Sequence, residues 1–182
     1  MTAAGHFRKS GNPLAPKRSL LVLAIVPEGE ALRPSAEWVA QCLREELNLE
    51  VELQKAPLPL SGAYLSGAAQ QGDAVAIVGL LERLVHADRA VLGVIDCDLY
   101  SSLRRDLPYA MGARKGLAGL LSTYRMEDRV RPHNSLERLR KMSLRYGLEL
   151  ACDAPRNRNP QSLHYESLHR CEQLDIMQWG DG

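Results

Sequence analysis

The chain has few aromatic residues, no long apolar run and no excess of either charge. Aromatic side chains make up 5% of its 182 residues and include a single Phe, so we expect a mainly aliphatic core. No stretch approaches the roughly 20 apolar residues of a membrane-spanning helix. The first residues, "MTAAGHFRKSGNPLAPKRS", contain no apolar segment of a signal peptide. These absences predict a soluble, cytoplasmic protein with no membrane partner.

The balance of charges and the spacing of the cysteines argue against further classes of protein. The 23 Lys and Arg residues balance 22 Asp and Glu residues, and no basic block is present, so we expect no nucleic-acid partner. The four cysteines, at positions 42, 97, 152 and 171, form no CxxC pair. Such spacing is typical of free thiols in a reducing compartment, an interpretation that is favoured for Cys42 and Cys97, whereas Cys152 and Cys171 lie in a tail rich in possible metal ligands.

Apolar runs alternate with amphipathic segments along the chain. "SLLVLAIVP", "LEVELQKA" and "RAVLGVID" have the pattern of strands. Helices are predicted over residues 34–47, within "AQQGDAVAIVGLLERLVHA", and from a capping box at Asn134 and Glu137 to about Leu150. The order predicts an α/β (α+β) fold with a mixed sheet packed by helices. Residues 1–18 are expected to be a flexible segment before a single domain over residues 19–182.

Two short motifs carry polar groups that could serve chemistry. In "DCD", Asp96 and Asp98 point the same way on a strand, but two carboxylates are too few for a typical Mg²⁺ or Ca²⁺ site. A polar strand end is the favoured interpretation. "MGARKG" has two glycines and basic residues that could hold an anion, although a solvated turn is favoured. The motifs GxSxG, P-loop and GxGxxG of nucleophilic and nucleotide sites are absent from the sequence.

Several segments of residues 19–151 resemble the archaemetzincin family of zinc metallopeptidases. "LGVIDCDLY" is similar to the family's strand-end motif "LGVTDxDLY", and "LSTYRM" is similar to the end of its edge strand. "LERLRKMSL" resembles the approach to its active-site helix. The resemblance implies a metzincin-like domain, in which residues 152–182 form a divergent C-terminal tail and the "DCD" aspartates are scaffold.

The resemblance also implies a zinc helix, and this helix is degenerate. The family pattern HExxHxxGxxxxH places two His ligands at i and i+4 and a Glu that polarises the bound water. In this sequence Arg145 occupies the first His position, Tyr146 the Glu position and Glu149 the second His position. A guanidinium cannot bind a metal ion, and a phenol is a poor base at neutral pH. We therefore expect no bound cofactor and no catalytic residue here.

Two interpretations of the altered helix remain open. Arg145 and Glu149 are neighbours at i and i+4 and could pair across the former metal position. They could equally be two solvated charges on an ordinary helix. The helix keeps an apolar stripe, formed by Leu136, Leu139, Tyr146 and Leu150 with Met142 beside it.

The C-terminal tail offers an alternative metal site. "HYESLHRC" places His164, His169 and Cys171 within eight residues. The two histidines are five residues apart and would diverge by about 140° on a regular helix, so only a loop could gather them. An incidental cluster is favoured, and zinc at this site is the alternative.

Two functions follow from the resemblance. The first is a non-catalytic relative that retains a cleft for a peptide or protein segment, bound along an edge strand at Leu120, Leu121, Ser122 and Thr123. The second is a divergent metallopeptidase that rebuilt its zinc site from the tail cluster. The sequence indicates no particular ligand or oligomeric state.

Overall fold

The computed structural model describes residues 15–26, 31–57, 65–66, 71–104, 106–107, 109–128, 130–166 and 168–178. Its strands are β1 (Ser19–Val26), β2 (Val51–Pro57), β3 (Leu65–Ser66), β4 (Gln71–Asp73), β5 (Arg89–Ile95), β6 (Leu99–Tyr100), β7 (Gly112–Lys115) and β8 (Ala118–Ser122). Its α-helices are α1 (Pro34–Leu47), α2 (Ala74–Leu81), α3 (Pro132–Ala151) and α4 (Cys171–Ile176).

Five strands form one mixed sheet in the order β2-β1-β5-β8-β7. The first four strands run parallel, whereas β7 pairs antiparallel with β8 and ends the sheet. A smaller sheet has the order β3-β4-β6. This architecture confirms the predicted α/β (α+β) class with a mixed sheet packed by helices.

The central strands are buried on both faces, which explains why they consist of continuous apolar runs. On one face of the sheet, Leu20 and Leu92 pack in the core that contains α1 and α3. On the other face, Leu21 and Val91 pack against α2. The predicted stripe of α3 lies in the first core, except for Leu136, which is 52% exposed.

The structure corrects one predicted helix start and defines the start of another helix. Helix α3 begins at Pro132 rather than at an Asn134 cap, because proline suits the first helical turn. The side chain of Asn134 instead donates a hydrogen bond to Asp128. Helix α2 begins after strand β4, where the Asp73 carboxylate accepts a hydrogen bond from the N–H of Val75.

The predicted edge strand is an interior strand. Leu120, Leu121 and Ser122 belong to β8, which pairs with β5 on one side and with β7 on the other. Thr123 follows the strand, and its hydroxyl donates to the Asp96 carboxylate at 3.1 Å. None of the four residues can therefore offer a sheet edge to a peptide. The edge position belongs to β7, because the short Gly116 turn folds β7 back along β8.

The start of the described chain contacts the end of α3. Residues 1–14 of the predicted flexible segment lie outside the described residues, but Arg18 donates two hydrogen bonds to the Asp153 carboxylate. The backbone N–H of Lys17 also donates to the carbonyl of Ala151. Among the helices described, none is long and apolar enough to cross a membrane.

Candidate functional site

A polar cleft of about 260 Å³ lies between strand β7 and helix α3. We call it the arginine cleft, because four arginines contribute to its walls. Its wall residues include Arg104, Gly112, Arg114, Arg145, Tyr146 and Arg156. The strand and the helix approach closely here, since a Cβ added to Gly112 would lie 2.6 Å from the Tyr146 hydroxyl. Glycine permits this close approach.

Glu149 lies fully buried beside the cleft and is held by three guanidinium groups. Its Oε1 lies 3.1 Å from Nε of Arg145 and accepts a hydrogen bond of 3.1 Å from Nε of Arg156. Its Oε2 accepts bonds from Nη2 of Arg156 at 2.9 Å and from Nη1 of Arg114 at 3.2 Å. Three hydrogen bonds and the ion pair with Arg145 therefore engage both oxygens of the carboxylate, which offers about four acceptor positions.

This arrangement answers the question left open by the sequence. Arg145 and Glu149 do pair at i and i+4, but the pair is buried rather than on a solvated flank. Arg145 reaches further, since its Nη1 donates to the backbone carbonyl of Leu163 in the C-terminal segment. Burial of a charge is tolerated only with partners of this kind.

The charged state of Glu149 follows from its partners. Burial acts to raise the pKa of this carboxyl, but the hydrogen bonds from Arg156 and the charge of Arg145 outweigh it, so the pKa lies below its ordinary value. Burial lowers the pKa of Arg145, and Glu149 acts in the opposite direction. An arginine stays protonated in proteins, so the cluster keeps its charges at neutral pH.

Tyr146 serves the core rather than acid–base chemistry. Its hydroxyl donates a hydrogen bond to the carbonyl of Ala113 in strand β7 at 3.2 Å. Its ring packs on Gly119, where an added Cβ would lie 2.9 Å from the ring. Burial raises the pKa of Tyr146, which places the phenol even further from a base at neutral pH.

The three predicted tail ligands do not converge. No group of three or more His, Cys, Asp or Glu side chains able to hold a metal ion occurs among the residues that the structure describes. Cys171 is buried, and its thiol donates to the carbonyl of Arg125 at 2.9 Å. His164 is partly buried, and burial lowers its pKa. The backbone N–H of His169 donates to the side chain of Gln173, which closes the start of α4.

Sequence reasoning did not assign Arg114 and Arg156 to the site. Arg114 lies in "MGARKG", whose basic residues were recognised as a weak anion signal. Arg156 lies in the loop "APRNRNP", 7 residues beyond Glu149, and no local periodicity connects it with α3. The sequence did contain one signal for these partners, namely Glu149, an acidic residue at a core position of α3. A buried carboxylate requires basic partners, which come from elsewhere in the chain.

The order of the strands, with a long helix beside an antiparallel edge strand, defines a mixed α/β fold. The structure is similar to the crystal structure of archaemetzincin from Methanopyrus kandleri at 1.5 Å resolution, with a TM-score of 0.66. The similarity covers 88% of this chain and 86% of that chain at 22% sequence identity. The chain therefore has an archaemetzincin-like fold, as its sequence motifs predicted. No protein-family model and no curated protein matches the sequence.

The residues present at the implied zinc position do not fit a zinc ion. Arg145 carries a permanent positive charge, and both oxygens of Glu149 already accept hydrogen bonds from guanidinium groups. Zinc sites use imidazole, thiolate or carboxylate ligands that are not already neutralised. A zinc ion here would also face three cations within the same small volume.

Proposed function

We propose that this chain is a non-catalytic protein of archaemetzincin-like fold that binds an extended peptide segment along strand β7, in the arginine cleft. The observation that carries the proposal is the saturation of Glu149 by three guanidinium groups. Hydrolysis of a peptide bond by this type of fold needs a metal-activated water and a free general base. Glu149 has no unoccupied oxygen to serve either need.

Strand β7 supports peptide binding because it ends the five-stranded sheet. Among the residues that the structure describes, β7 pairs only with β8 in that sheet, so alternate residues direct N–H and C=O groups away from the sheet. An extended peptide can add to such an edge as a further strand. Its side chains would then alternate between the solvent and the arginine cleft.

The same proposal assigns the protein to the cytoplasm. Four cysteines without CxxC spacing fit a reducing compartment, and all four are free thiols. Fractionation of cells that produce the tagged chain tests this location, and recovery outside the cytosol would contradict it.

Elemental analysis and a cleavage assay test the absence of catalysis. The purified full chain is incubated with zinc and then dialysed to remove free zinc. It should then retain far less than one zinc ion per molecule. It should also leave a random heptapeptide library intact by mass spectrometry. Stoichiometric zinc together with chelator-sensitive cleavage would contradict the proposal. If that zinc disappeared in the His164→Ala, His169→Ala double variant, the metallopeptidase with a rebuilt tail site would be the correct function.

Peptide binding is tested by nuclear magnetic resonance with the heptapeptides that the immobilised chain retains. We expect chemical-shift changes at Gly112–Lys115 and none at β2, the opposite edge of the same sheet. N-methylation of alternate peptide amides should abolish binding, whereas N-methylation of the amides between them should not, because only one set faces β7. Equal tolerance of both sets, or retention of no peptide, would overturn the proposed binding mode.

A further inference from the structure

The arginine cleft carries more positive charge than its internal partners neutralise. Arg114, Arg145 and Arg156 surround a single carboxylate, that of Glu149, which leaves a net charge of +2 on the cluster. Two of the three guanidinium groups reach the surface, because the side chains of Arg114 and Arg156 are 31% and 39% exposed. The excess charge is therefore accessible from the cleft.

Two further charged side chains of the cleft wall, Glu166 and Arg104, pair with residues outside that wall. Glu166 faces Arg158 at 3.4 Å, and Arg104 donates two hydrogen bonds to Asp106. These pairs lie at exposed positions and leave the charge of the inner cluster unchanged. The nearby His164 does not add to it, because burial favours its neutral form.

Two guanidinium nitrogens of these partly exposed arginines are available for a ligand. Arg156 uses Nε and Nη2 on Glu149, and Arg114 uses Nε on the Gly116 carbonyl and Nη1 on Glu149. Within the described part of the chain, Nη1 of Arg156 and Nη2 of Arg114 have no hydrogen-bond partner. Arg114 belongs to β7 itself, so a peptide added to that edge passes directly beside it.

We infer that Arg114 and Arg156 together bind a carboxylate of the peptide ligand. The inference rests on the proposed function and specifies the chemistry of its ligand. A planar guanidinium matches the two oxygens of a carboxylate, and hydrogen bonds between charged groups are about twice as strong as neutral ones. The carboxylate comes either from an Asp or Glu side chain or from a peptide C-terminus.

Four random heptapeptide libraries distinguish the two sources. They combine a free or an amidated C-terminus with the presence or the absence of Asp and Glu, and the immobilised full chain selects from each. We expect the amidated library without acidic residues to be retained about tenfold less than the best of the other three. Preference for acidic residues in the amidated library identifies a side-chain carboxylate, and preference for free termini identifies the C-terminus.

Matched variants assign the binding to the cluster. Arg156→Gln should abolish the preference for carboxylates, whereas Arg158→Gln should retain it. The two changes remove the same charge from one loop, but Arg158 is 92% exposed and contacts Glu166 rather than Glu149. In Arg156→Gln, Glu149 still contacts Arg114 and Arg145, so we expect circular dichroism to show an intact fold. Arg156→Lys keeps the charge without the planar fork and should retain part of the preference.

The outcomes separate this inference from the proposed function. Retention of all four libraries alike, or an unchanged preference in folded Arg156→Gln, would overturn the carboxylate site and leave peptide binding in place. Retention of none of the libraries would contradict peptide binding itself. A phosphoserine peptide that binds far more tightly than its glutamate counterpart would also overturn the inference, because the cluster would then be a phosphate site.

Discussion

At the scale of single residues, Glu149 determines what its surroundings can do. A fully buried carboxylate is tolerated only when its charge is compensated, and here compensation comes from guanidinium groups rather than from a metal ion. Arg145 lies one helical turn before it, whereas Arg114 and Arg156 come from separate segments. The same contacts leave neither oxygen of Glu149 without a guanidinium partner.

Asp153 gives a pH-dependent prediction at the same scale. Hydrogen bonds from Arg18 and Lys17 lower its pKa from 3.8 to about 2. A carboxyl whose pKa is lower in the folded state stabilises the fold above its unfolded pKa, and this contribution is lost as the pH falls through the folded pKa. Asp153→Asn should therefore lower the free energy of unfolding at pH 6, by less than about 1 kcal/mol because the pair is partly exposed.

The difference between wild type and Asp153→Asn should shrink steadily below pH 4 in urea titrations. Asparagine suits the left-handed backbone of this position, where φ is 56°, so the change tests the charge rather than the conformation. Asp88→Asn removes a charge from an exposed turn and is the control. A constant difference from pH 6 to pH 2.5 would show that the ion pairs do not account for it.

At the scale of helices and strands, local patterns identified the elements but not all of their neighbours. Helix α1 has the predicted bounds of residues 34–47, because Pro34 marks its start and an apolar stripe follows. The position of β8 within the sheet could not be read locally, because strand order depends on contacts between distant segments. The arginine cleft was missed for the same reason, since Arg114 and Arg156 meet Glu149 only after folding.

Two helical glycines predict opposite effects of the same substitution. An added Cβ at Gly79 in α2 meets nothing within 4 Å, so Gly79→Ala should raise the free energy of unfolding by about 0.5–1 kcal/mol through helix propensity. At Gly147 in α3, the added Cβ would overlap the buried Leu43 and lie 2.7 Å from Leu47 of α1. Gly147→Ala should lower the free energy of unfolding by about 1–3 kcal/mol through overpacking.

Urea unfolding of both alanine variants measures this contrast. A stabilised Gly147→Ala protein would mean that the leucines of α1 move aside at little cost. The interface between α1 and α3 would then be looser than the structure indicates. Loss of stability in Gly79→Ala would instead contradict the open space beside α2.

At the scale of the whole molecule, the C-terminal segment completes the wall of the arginine cleft. Arg145 of α3 donates to the Leu163 carbonyl, and Arg156 of the same segment contacts Glu149. The segment then continues into α4, which packs on α3. The cleft therefore depends on chain regions on both sides of α3, and a local change in the C-terminal segment should reach the cleft through these contacts.

The attachment of α4 to α3 gives the last prediction. Arg138 is buried and donates two hydrogen bonds to the Asp175 carboxylate, at 2.8 and 2.7 Å. Asp175→Asn removes the nearer of the two carboxylate charges that face this guanidinium, the other being Asp128 at 3.9 Å, so the free energy of unfolding should fall by about 1–3 kcal/mol. The buried Cys171 thiol, whose pKa burial raises to about 11, should then react severalfold faster with an alkylating reagent. Mass spectrometry resolves its rate from those of the other cysteines. Glu172→Gln, an exposed change on the same helix, removes another negative charge that raises the pKa of Cys171, so its smaller effect on the rate measures the electrostatic contribution alone. An unaltered Cys171 rate in Asp175→Asn would mean that apolar packing alone holds α4 on α3, since the ion pair would then contribute nothing to keeping the segment closed.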